Sequence, residues 1–116
     1  MQYKAVFHVD QKDGQVFNLA LNNVINLLKA IPGQEHDLVV LLNGPAVGLA
    51  AREEAAPFLE MIQGLSARGV RFQVCDNAMK RFEVKPDSLI AECQIIPAGI
   101  VGLIELQNQG FAYIKP

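Results

Sequence analysis

With 116 residues, 51% apolar content and 19% charged residues, the chain is too apolar for a disordered segment. It suits one domain, residues 1–116, burying about two thirds of its unfolded surface. A net charge of −2 and the lack of a basic stripe interleaved with aromatics exclude a nucleic-acid surface. No apolar run approaches the roughly 20 residues of a membrane helix.

Residues 3–9, Tyr3-Lys4-Ala5-Val6-Phe7-His8-Val9, are predicted as a buried first strand, broken by Asp10-Gln11-Lys12-Asp13-Gly14. Met1-Gln2 run almost directly into it, which leaves no room for a signal peptide. Two cysteines without a leader then point to a reducing, cytoplasmic compartment. Phe17, Leu21, Val24, Leu28 and Ile31 recur at alternating steps of four and three, which predicts an amphipathic helix stopped by Pro32-Gly33. Residues 37–43 form a second apolar strand, and Gly44-Pro45 turns out of it into a small-residue loop or short helical turn. A second helix is expected over residues 55–68, with Phe58, Ile62 and Leu65 on its apolar side and Gly69 as its stop.

Residues 71–74 read as a third strand ending at Cys75, followed by a short helix or turn to about Val84. Residues 88–90 are another short turn, and Gln94-Ile95-Ile96 is a fourth strand closed by Pro97-Ala98-Gly99. Ile100, Leu103, Ile104 and Leu106 are spaced as a helix ending near Gln109-Gly110, and residues 111–115 close the chain as a fifth strand. Strands alternating with helices, and apolar without interruption, predict an α/β fold with a parallel sheet covered on both faces.

In such sheets the chemistry gathers outside the carboxyl ends of the strands. That rule selects His8 and Asp10, Asn43 and Gly44, Cys75 to Asn77, and Pro97 to Gly99. Cys75 is the candidate nucleophile. It stands at a strand end before Asp76 and Asn77, residue types that cap helix amino ends, where unpaired amides and the helix dipole favour thiolate over thiol. Arg68, Arg71, Lys80, Arg81 and Lys85 outweigh Asp76 and Glu83 around it, a local +3 in a chain of −2. The ordinary alternative is a buried, inert cysteine, as most single cysteines are.

Cys93, near the start of the fourth strand, lies at the opposite end of the sheet from Cys75, so no disulfide is expected between them. His8 and His36 likewise fall at opposite ends, and no Cys/His spacing of metal type occurs, so no metal is expected. Gly44-Pro45-Ala46-Val47-Gly48 lacks the lysine-serine/threonine ending of a phosphate loop, and no GxGxxG follows the first strand, so no dinucleotide cofactor is expected. Asn18, Asn22 and Asn26 form a polar stripe beside the apolar face of the first helix, open to solvent or to a neighbouring subunit. The apolar Ile100, Val101, Ile104 and Leu106 exceed what one sheet face needs, which hints at subunit contacts.

The ordered set of His8-Val9-Asp10, residues 20–28, Asn43-Gly44-Pro45, residues 69–77, Ile96-Pro97-Ala98-Gly99-Ile100 and residues 110–116 resembles the DsrE/DsrF-like family of small sulfur-relay proteins, with the YchN-like fold. The resemblance implies a three-layer α/β/α sandwich, a five-stranded parallel sheet of order 4-3-2-1-5, and homo-oligomers, trimers or hexamers. It further implies a sulfur carrier that holds sulfane sulfur as a persulfide on Cys75, a sulfurtransferase in the loose sense, served by sulfur donor and acceptor proteins. Asn77, Asp76, Asn43, Gly44 and His8 are then the candidate substrate-binding residues, with Asn77 and nearby backbone amides stabilising the sulfur anion. With that strand order, the second strand separates His8 from Cys75 and keeps it out of direct proton transfer. Many relatives that the chain resembles most closely have threonine where Ala78 stands, so one hydroxyl donor is missing here. The competing reading is a non-catalytic oligomeric binding module with a strand-end pocket, in which Cys75 is structural or redox-sensing.

Overall fold

The computed structural model describes residues 2–116. Five parallel strands form one sheet: β1 (Tyr3–Val9), β2 (His36–Leu42), β3 (Arg71–Cys75), β4 (Cys93–Ile96) and β5 (Ala112–Ile114), in the order β4-β3-β2-β1-β5. Of the three interior strands, β1 and β2 have buried runs of five residues, Ala5 to Val9 and Leu38 to Leu42, because both of their faces are covered. The edge strands β4 and β5 are short and half exposed, since each has a neighbour on one side only.

One face of the sheet carries most of the core. Helix α1 (Gly14–Ala30) lays Phe17, Ala20, Leu21, Val24 and Leu28 on it, the stripe that its sequence spacing predicts. Its amino end is fixed by the Asp13 carboxylate, which accepts hydrogen bonds from the backbone N–H groups of Gln15 (2.9 Å) and Val16 (3.4 Å). Phe17 meets Phe58 edge to face at 5.0 Å between ring centroids.

The second helical stretch differs from the expectation of one helix over residues 55–68. It is divided into α2 (Arg52–Ala55), a 3₁₀ turn (Ala56–Phe58) and α3 (Leu59–Ala67). Pro57 is the physical cause: it has no N–H to continue the i to i−4 ladder, and its ring crowds the preceding turn. The small-residue segment after β2 is a buried 3₁₀ stretch, Gly44–Ala50. A six-residue helix, α4 (Asp76–Arg81), follows β3 directly.

Among the described residues the other face is covered by α5 (Gly99–Asn108) alone, whose Leu103 and Leu106 pack with Phe111 on Val6, Val39 and Leu41. The helix stops where Gly110, at φ +94, lets Phe111 N–H return to the Leu106 carbonyl at 3.0 Å and Gly110 N–H to that of Gln107 at 3.0 Å. That closure starts β5. One helix cannot use apolar residues on every side, and Ile100, Val101 and Ile104 are left 62%, 49% and 53% exposed. No helix among the described residues is long and apolar enough to cross a membrane.

Candidate functional site

β3 delivers Cys75 to the carboxyl edge of the sheet, and the chain turns at once into α4. Cys75 is the N-cap of that helix, and its side chain takes the capping role that serine or aspartate usually fills. Its Sγ accepts the Ala78 N–H at 3.4 Å and, across the sheet, the Gly99 N–H at 3.2 Å. Gly99 is the first residue of α5, so the amino ends of two helices converge on one sulfur. Amide dipoles so aimed stabilise negative charge on it. The thiol is buried, with Cys75 6% exposed.

The approach of α5 depends on Gly99 lacking a side chain. A Cβ there would stand 2.8 Å from Asn43 Cβ and 3.3 Å from Cys75 Cβ. Asn43, the residue after β2, and Gly44 therefore share a cleft with Cys75, and Asn77, Arg81, Phe82 and Ile100 form its rim. Phe82 is exposed at the rim, and the Arg81 guanidinium lies 5.8 Å from its ring centroid. The rim is thus partly apolar and cationic, while the floor is amide and sulfur.

His8 does not reach the sulfur. Its Nε2 lies 2.7 Å from Asn43 Oδ1 and its Nδ1 2.6 Å from the Tyr113 hydroxyl, so the imidazole bridges β5 and the loop after β2.

The DsrE/DsrF-like family profile matches residues 4–116. The chain belongs to the DsrE/DsrF-like family. Among solved structures it is similar to MTH1491 of Methanobacterium thermoautotrophicum, a protein of unknown function, with 26% identity and a TM-score of 0.89 over 98% of this chain and 99% of that one. It shares its fold with the E. coli ychN protein, at 17% identity and a TM-score of 0.71 over the whole of both chains. No curated protein matches it.

The remaining candidate residues of this DsrE/DsrF-like chain take varied places. Asp76 turns away from the thiol to pair with Lys80 at 3.0 Å, an i,i+4 bridge along α4. Asn77 is exposed at the cleft mouth, and its side chain makes no hydrogen bond to Sγ; both donors to the sulfur are backbone amides. Asp10 bonds Lys115 at 2.7 Å, and this ammonium, aided by His8, holds its carboxyl below the usual carboxylate range. Asn22 donates back to the Asn18 carbonyl at 2.9 Å, so part of the asparagine stripe is satisfied within α1. His36 pairs in register with Tyr3, at the far end of the sheet from His8. Among the described residues no cluster of three His, Cys, Asp or Glu side chains is arranged to hold a metal ion.

Two contacts at this edge were not assigned from the sequence. The Gly99 N–H comes to the sulfur only because β4 lies next to β3, with Cys75 in register with Ile96. Tyr113 comes to His8 only because β5 joins the sheet beside β1, with Val6 opposite Tyr113. Neither carries a local motif.

Cys93 stands opposite Phe72, three residues back along the sheet from the Cys75 level, and both cysteines are free. Burial, with the Glu92 charge adding to it, pushes the Cys93 thiol up to about 12. Iodoacetamide at neutral pH is therefore expected to label Cys93 at least about ten-fold more slowly in the folded protein than in the unfolded chain, since the thiolate is the nucleophile. Peptide mapping after timed alkylation with and without denaturant checks this; an equal Cys93 rate in both states would overturn it.

Proposed function

We propose that this DsrE/DsrF-like protein is a sulfur carrier that holds sulfane sulfur as a persulfide on Cys75. The observation that carries the reading is the pair of backbone N–H donors, from Ala78 and Gly99, on one sulfur at the carboxyl edge of the sheet. The Cys75 thiolate attacks the outer sulfur of a donor persulfide, R–S–SH. The donor S–S bond breaks, a new S–S bond forms, and R–S⁻ leaves. Cys75–S–SH remains, with the proton travelling on the moved sulfur. Delivery is the same displacement in reverse sense: an acceptor thiolate attacks the outer sulfur, and Cys75 departs as thiolate. No electrons enter or leave, so neither step needs a cofactor. The two amides favour the departing thiolate as they favour the attacking one.

In this reading the donor is a protein or small-molecule persulfide and the acceptor a protein or small-molecule thiol, in a reducing, cytoplasmic setting, received at the Phe82 and Ile100 rim. The protein works as a homo-oligomer, a trimer or hexamer, in which the bare apolar side of α5 is covered by a second copy. Sedimentation should give a mass above the 12.7 kDa of one chain. Ile104→Asp, placing a charge on that face, should shift the mass toward the monomer; an unchanged oligomer would remove α5 from the interface.

The direct test is intact-mass measurement after incubation with glutathione persulfide. A gain of about 32 Da, one sulfur atom, is the expected result. The burial of Cys75, whose sulfur already serves as a helix cap, favours a second reading: a binding module with a structural cysteine. Absence of the adduct, together with slow alkylation of Cys75, would decide for it.

A further inference from the structure

One polar chain beside Cys75 has no part in either displacement. It crosses the carboxyl edge of the sheet in strand order: Tyr113 on β5, His8 on β1, Asn43 after β2, and then Cys75 on β3. His8 is only 8% exposed and is held at both ring nitrogens. Asn43 Oδ1 can only accept, so His8 Nε2 donates to it, in the neutral ring with Nδ1 accepting from Tyr113 and equally in the protonated ring. While His8 Nε2 carries its proton, turning the Asn43 amide over would set an NH₂ against an N–H.

With Oδ1 fixed on the imidazole, Nδ2 points the other way. It stands 3.1 Å from the point that a Gly99 Cβ would occupy, and Cys75 Cβ stands 3.3 Å from the same point. Nδ2 donates to no acceptor among the described residues, and Sγ is engaged by the two backbone amides instead. A part-buried chain of two hydrogen bonds thus holds a donor at the cleft beside the thiol, with no acceptor for it among the described residues. The outer sulfur of a persulfide lies about 2 Å beyond Sγ, within the same cleft, and carries the negative charge once its proton ionises.

We infer that Asn43 binds the outer sulfur of the Cys75 persulfide through Nδ2, and that His8 and Tyr113 are positioning residues that keep its N–H aimed there. This rests on the carrier reading above. The role of Asn43 is specific to the loaded state: the two backbone amides serve the thiolate, and the carboxamide serves the cargo.

The test is the exchange equilibrium of the intact protein with glutathione persulfide and glutathione, read as the loaded fraction by intact mass. Asn43→Ala should shift the constant at least about ten-fold toward the unloaded thiol, as loss of one hydrogen bond to an anion implies. The iodoacetamide rate of the unloaded thiol should stay within about two-fold, because Nδ2 does not touch Sγ, whereas a merely structural role would move both readouts. His8→Phe should act in the same direction, and His8→Phe combined with Asn43→Ala should do no more than Asn43→Ala alone. Tyr113→Phe, the loss of one hydroxyl from a half-exposed ring, should give a smaller shift of about two- to three-fold and keeps the test open if the other variants fold poorly. Loading of the unsubstituted protein with an unchanged constant in the Asn43 and Tyr113 variants would overturn this inference alone. Failure of the unsubstituted protein to load would overturn the carrier reading, and this inference with it.

Discussion

Cys75→Ser should abolish the adduct of about 32 Da while leaving the protein folded. Serine is a good N-cap, and its Oγ can accept from the same backbone amides that the sulfur does, those of Ala78 and Gly99. The thermal midpoint should therefore move little, and the loss belongs to chemistry: a hydroxyl is not a nucleophile toward sulfane sulfur at neutral pH. Cys93 cannot substitute. With its thiol pushed up to about 12, only roughly one molecule in 10⁵ presents a thiolate near pH 7. The paired control is Cys93→Ser, which should load as the unsubstituted protein does. Persistence of a full adduct in Cys75→Ser would end the carrier assignment at this residue, whatever other variants show.

Gly99→Ala is expected to damage stability and loading together. The new methyl would be placed 2.8 Å from Asn43 Cβ, closer than carbon atoms tolerate, and neither partner is the free end of a long side chain. Relief requires α5 to back away from the β2 end or Asn43 to be displaced. The first stretches the Gly99 N–H bond to Sγ; the second breaks the bond from His8. Overpacking of this kind costs about 1–3 kcal/mol, against a helix-propensity gain that is small at the first residue of a helix. A fall of several degrees in the melting temperature should accompany a reduced loaded fraction. A variant that melts no lower and loads normally would show that the close approach of α5 is not what equips the thiol.

Most of the fold could be read from pattern because its causes are local. The step of four and three from Phe17 to Leu28 is a helix face, a property that resides in a dozen consecutive residues. The uninterrupted apolar runs of β1 and β2 report that both faces of the sheet are covered, which limits the architecture to parallel layers. The one helical misreading, residues 55–68, came from weighing apolar spacing above Pro57, although proline's missing N–H is also a local fact.

The candidate site was legible in part. Cys75 at a strand end before a helix start is a sequence feature, and so is the gathering of Asn43, Gly44 and His8 at the same edge under the parallel-sheet rule. The residues that act on the sulfur are another matter. Asn77 and Asp76, neighbours in the chain, turn to solvent and to Lys80, while the cross-sheet donor is Gly99, 24 residues away. Its contribution is a backbone N–H, which every residue but proline possesses and which no residue type advertises.

By itself, then, the sequence determined the strands, the helices apart from the division at Pro57, the layered parallel class and the thiol at the strand end, because hydrophobic period and breakers act over a few residues. Tertiary structure alone decided which groups surround that thiol. The order β4-β3-β2-β1-β5 brings Gly99 to Cys75 and Tyr113 to His8. Side-chain and amide distances across neighbouring strands follow from register, and register is set by how the whole sheet packs.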